Sequence, residues 1–106
     1  MSEPQPELGA DSIPVPVIRV RVIVTGRVQG VWFRDTCRDQ ARSERVAGFA
    51  RNRADGTVEV ELEGTEPAVE RMIVWCGVGP ARARARVDSV ATERISPVGD
   101  PGFRIR

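Results

Sequence analysis

Hydrophobic and polar residues alternate from Ile18 to Thr25. Ile18, Val20, Val22 and Val24 fall on one side, Arg19 and Arg21 on the other. That period of two predicts a half-buried strand. Over residues 32–45 the period lengthens: Phe33, Cys37 and Ala41 recur every fourth residue with polar residues opposite, which predicts an amphipathic helix. Asp35 in its first turn suits the helix dipole. Residues 46–53 form a shorter, less regular strand candidate. Ala54-Asp55-Gly56 then signals a turn, and Thr57 to Glu63 alternates strictly, with Val58, Val60 and Leu62 inward. Glu59, Glu61 and Glu63 read as the solvated side of that strand. The two strands flanking the turn make a hairpin.

A second helix opens at Gly64-Thr65-Glu66-Pro67, with Thr65 as N-cap and Pro67 in the first turn, where its missing N–H costs little. Val69, Met72, Ile73 and Cys76 mark its buried stripe, and Gly77, Gly79 and Pro80 end it. Residues 86–95 predict a further strand anchored by Val87 and Val90. Residues 97–102 read as a loop and 103–106 as a short terminal strand. The order β-α-β-β-α-β with a short extra C-terminal strand predicts an α+β, ferredoxin-like sandwich, two helices on one face of an antiparallel sheet. Its other face would show Arg19, Arg21, Glu59 and Glu61 to water or a partner. Residues 1–16 carry four prolines and no period. They read as a disordered arm, with the folded domain over residues 17–106.

Composition narrows the chemistry. The chain has 106 residues, 16 basic and 15 acidic, for a net charge of +1. That balance argues against general nucleic-acid binding. Every basic residue is arginine, which excludes lysine chemistry, and the absence of histidine removes the commonest general base and metal ligand. Cys37 and Cys76 form no CxxC and read as apolar filler in the two helices, with no metal site expected. No apolar run is long enough to span a membrane. No export signal is evident at the N-terminus, and a cytoplasmic monomer is expected.

The segment Gly26-Arg27-Val28-Gln29-Gly30-Val31-Trp32-Phe33-Arg34 joins the first strand to the first helix. Loop amides, a helix N-terminus and a guanidinium in the first turn make an anion site. It is neither a GxGxxG nor a Walker loop, so nucleotide binding is unsupported. Asn52, near the end of the second strand, returns to the same end of the sheet. Without further context, Arg34 reads as a surface arginine and Asn52 as a turn residue. Gln29 reads equally as a substrate contact or a brace for the loop, and Trp32 and Trp75 as core or rim packing.

GRVQGVWFR, GFARNRADGTVEVELEG, WCGVGP, ARVDSV and GFRIR, in that order over roughly residues 18–106, resemble the acylphosphatase family. Trp32 stands where that family commonly has a smaller residue, and GFA replaces a more usual GWV before Arg51. The resemblance implies hydrolysis of the carboxyl–phosphate bond of small acyl phosphates to a carboxylate and inorganic phosphate. It implies that Arg34 and the loop Val28, Gln29, Gly30 and Val31 bind the phosphoryl group, and that Asn52 orients the attacking water. No cofactor or metal is then required, because the leaving carboxylate needs no strong protonation and positioning with charge stabilisation suffices. Two other readings stand beside it. One is a non-catalytic phosphate- or carbamoyl-phosphate-binding module, as in the related domain of hydrogenase-maturation proteins. The other is an RNA-recognition module, disfavoured because the first and third strands carry no aromatic residue.

Overall fold

The computed structural model describes residues 15–80 and 84–106. Seven elements follow in order: β1 (Val17–Arg27), α1 (Phe33–Ser43), β2 (Ala47–Asn52), β3 (Val58–Thr65), α2 (Glu66–Val78), β4 (Arg86–Ile95) and β5 (Phe103–Ile105). They build one five-stranded sheet in the order β4-β1-β3-β2-β5. β1 pairs antiparallel with β3 and β4, and β2 antiparallel with β3. β5 pairs with β2 in parallel, Gly48 opposite Phe103, so the short extra strand makes the sheet mixed. The proposed arm, residues 1–16, lies almost wholly outside the described residues, as does the start of the arginine-rich run at 81–83.

Period two sets the core. Val20, Val22 and Val24 of β1 and Val58, Val60 and Leu62 of β3 are buried under the helices. α1 inserts Phe33, Cys37 and Ala41, and α2 inserts Ala68, Val69, Met72 and Cys76, with Ile73 half-buried. Trp75 packs its ring 5.5 Å from that of Phe33 and so belongs to the core edge. Cys37 and Cys76 are both free and buried. The neighbouring Cys76 thiol, with burial, pushes Cys37 well above the ordinary cysteine range, so this is an unreactive thiol. Thr65 occupies the N-cap of α2, but its side chain makes no capping hydrogen bond. Gly77 does not end that helix. The chain leaves it at Gly79, whose φ of +80° most side chains resist and whose N–H donates to the Trp75 carbonyl.

The open face of the sheet differs from its sequence reading. Arg19 is 3% exposed, Glu59 6%, Glu61 9% and Glu63 6%. They face one another rather than water. Arg19 donates to Glu61 at 2.8 Å and to Glu63 at 2.9 Å, and Arg21 and Arg51 both pair with Glu59. Over Glu63 and Arg19 the cover comes from the β4–β5 loop, whose Asp100 also accepts from Arg19 at 3.5 Å. The loop's Val98, Gly99 and Asp100 amides donate to the Glu63 carboxylate at 2.8, 2.8 and 3.2 Å. A strand's alternation reports which side a residue faces, but a loop arriving from another part of the chain decides whether that side stays wet.

Candidate functional site

The site grows from the end of β1. The register of β1 against β4 shifts between Thr25 and Gly26. A Cβ on Gly26 would lie 2.1 Å from the Arg86 carbonyl oxygen, so only glycine lets the strands close there. Beyond it the chain turns sharply: Gly30 has φ +73° and Trp32 φ +66°. Val28 and Val31 bury their side chains in the core, which pins the loop from below. Among the described residues, no backbone amide from Val28 to Val31 donates to a protein acceptor. A run of free amides ahead of a helix N-terminus is suited to an anion.

Arg34 stands in the first turn of α1, and its Nη1 donates to the Arg106 carbonyl at 3.3 Å. The Arg106 amide in turn donates to the Ala50 carbonyl of β2 at 2.9 Å, so the terminal segment links Arg34 to the strand that carries Asn52. Val28, Gly30, Trp32, Phe33, Arg34 and Asp35 line a cleft of about 260 Å³.

Asn52 closes β2 opposite Val58, while Val24 of β1 lies opposite the same Val58. Asn52 therefore sits at the sheet end where the β1–α1 loop emerges. It is two residues from the fully buried Ala50 and so shares the helix side of the strand. It is not among the residues lining the cleft. Its Oδ1 is buried without a hydrogen-bond partner among the described residues. Buried acceptors are almost always satisfied, so this orphan calls for a ligand or a water.

Gln29 resolves in favour of the brace. Its Nε2 donates to the Arg53 carbonyl at 2.8 Å and to the Thr57 carbonyl at 2.9 Å, across the β2–β3 turn. That turn is itself stiff. Asp55 accepts from the Thr57 amide and hydroxyl, which hold its carboxyl below the usual carboxylate range. Gln29 thus ties the loop to the hairpin beside Asn52, leaving its backbone amide, not its side-chain NH2, for an anion. The sequence carried no signal for this, since the partners are backbone carbonyls. Replacing Gln29 by Met removes both bonds at similar volume. It is expected to cost about 1–3 kcal/mol, read as a lower midpoint in urea unfolding.

Among the described residues, no group of three His, Cys, Asp or Glu side chains is placed to hold a metal ion, and no helix is long and apolar enough to cross a membrane. The arrangement of guanidinium and loop amides is suited to holding a tetrahedral or planar oxyanion.

Comparison with known proteins finds similar chains and similar folds. A family model described as Acylphosphatase matches residues 20–105. A protein of Anaeromyxobacter dehalogenans named Acylphosphatase is 48% identical over 90 residues, covering 84% of this chain and 95% of the relative. The crystal structure of an acylphosphatase from Bacillus subtilis superposes with a TM-score of 0.78 at 32% identity, covering 84% of this chain and 98% of that one. The structure of an acylphosphatase from Coxiella burnetii gives 0.79 at 31% identity, covering 85% and 93%.

Proposed function

Because this chain belongs to the acylphosphatase family, and is therefore an enzyme hydrolysing acyl phosphates, we propose that Arg34 and the amides of residues 28–31 hold the transferring phosphoryl group while Asn52 orients the attacking water. The fold supports each role. Arg34 offers a bidentate fork to two phosphoryl oxygens, and the free amides of the pinned loop take the third. Negative charge builds on those oxygens in the transition state, so donors already fixed in place stabilise it most. Water adds to phosphorus as the bridging oxygen–phosphorus bond breaks. The electron pair leaves with the carboxylate, and the water's proton passes to solvent or to the phosphate formed. A carboxylate is a good leaving group, so this step needs no histidine.

The observation that carries the reading is the unpartnered Asn52 Oδ1, buried at the end of the sheet where the loop emerges. A water donating to that oxygen would be held in one orientation, and the Asn52 amide group could donate to a phosphoryl oxygen. The test is phosphate release from benzoyl phosphate by the purified protein with a chelator present. Wild type is expected to turn over and to be inhibited competitively by inorganic phosphate. Asn52→Ala is expected to lose about 10²-fold in kcat with an unchanged melting temperature. A variant within a factor of two of wild type would remove Asn52 from the reaction.

A further inference from the structure

Trp32 is 73% exposed, although it is one of the largest side chains of the protein. Among the described residues it stands apart from the other aromatics. Phe33, Phe49 and Phe103 are buried, and Trp75 is packed on Phe33. Its backbone is also held against preference. Trp32 is the N-cap of α1 with φ +66° and ψ +18°, a left-handed conformation that a bulky side chain rarely adopts. The Thr36 amide donates to its carbonyl at 3.1 Å and the Thr36 hydroxyl donates to the same oxygen, so the strained residue is fixed. The result is an indole standing in solvent two residues ahead of Arg34, on the rim of the cleft that Val28 and Phe33 also line.

We propose that the Trp32 indole forms the acyl-side wall of the site and makes the enzyme selective for acyl phosphates with flat, apolar acyl groups over short ones. The inference rests on the reading of the Arg34 cleft as the phosphoryl site. Arg34 and the loop amides contact only the phosphoryl group, so they are blind to the acyl group. Once the phosphorus is held there, the acyl substituent leaves through the mouth of the cleft. Trp32 is the large apolar surface at that mouth. An aromatic acyl group covering the indole removes apolar area of both from water, whereas an acetyl group covers little of it.

Trp32→Gly isolates the effect. Glycine readily takes the left-handed backbone of this position, so the variant is expected to fold. The ratio of kcat/KM for benzoyl phosphate to that for acetyl phosphate is expected to fall about tenfold, mainly through KM for benzoyl phosphate. Trp32→Phe is expected to retain most of the wild-type ratio. Inhibition by benzoate should weaken in Trp32→Gly more than inhibition by inorganic phosphate. An unchanged ratio would overturn the proposal. So would a parallel loss on both substrates, because the indole would then serve the loop and not the acyl group. Wild type that turns over neither substrate would overturn the hydrolytic reading, and this inference with it.

Discussion

Arg34→Ala is expected to lower kcat/KM for benzoyl phosphate by about 10³-fold. The guanidinium is the full positive charge lining the cleft, and the loop amides contribute only partial charges beside it. On the proposed roles, its removal leaves the developing charge on the phosphoryl oxygens to those amides and the Asn52 side chain. The same change should barely touch stability. The Arg34 side chain makes one 3.3 Å bond to the Arg106 carbonyl in an exposed setting, a contribution of about 1 kcal/mol or less. Arg34→Lys separates charge from geometry. A lysine restores the charge but not the planar fork, so it should recover only part of the lost rate. The measurements are steady-state kinetics beside thermal melts. Near wild-type kcat/KM from a folded Arg34→Ala protein would refute the assignment.

Glu63→Ala is expected to destabilise the protein by about 3 kcal/mol. The Glu63 carboxylate accepts from Arg19 and from three successive amides of the β4–β5 loop. Truncation leaves those amides without an acceptor and leaves the buried Arg19 to its bonds with Glu61 and Asp100. The same carboxylate predicts an acid response. Burial pushes its pKa up, but the Val98, Gly99 and Asp100 amides and Arg19 outweigh burial and hold it below the ordinary 4.5. The folded state therefore prefers the charged form more than the unfolded chain does. Its stabilisation is complete above the ordinary value and is lost as pH falls through the lower folded-state value. Urea midpoints measured from neutral pH into acid should fall less steeply for Glu63→Gln than for wild type. Parallel slopes would show that other carboxylates govern the acid limb.

Local patterns made most of the architecture legible. The inward positions of β1 and β3 and the four-residue spacing of Phe33, Cys37 and Ala41 mark the apolar core that the fold buries. The GRVQGVWFR segment marked the loop, and its resemblance pointed to the residues that the fold gathers at one end of the sheet. What escaped depends on partners distant in sequence. Glu59, Glu61 and Glu63 follow the rhythm of a solvated strand face, and nothing within β3 foretells the loop that covers Glu63. Gln29 donates to two backbone carbonyls, which have no side-chain signature. The parallel pairing of β5 was hidden because three residues carry no register of their own. Asn52 was singled out only through family resemblance, and its unsatisfied oxygen is a fact of packing alone.

The strand order has a consequence for how the enzyme is made. β1 leaves the ribosome before every other element of the sheet, yet its two neighbours are β3 and β4, and β4 ends at Ile95. Until that strand has been synthesised, β1 keeps one unpaired edge. The bulge that closes Gly26 against Arg86, at the root of the β1–α1 loop, also waits for β4. The link from Arg34 to Arg106 comes last. The end of the sheet from which the β1–α1 loop emerges is therefore completed only after β4 has been made. The segment that opens the sheet spends that interval as an apolar, strand-forming stretch in need of protection from its neighbours.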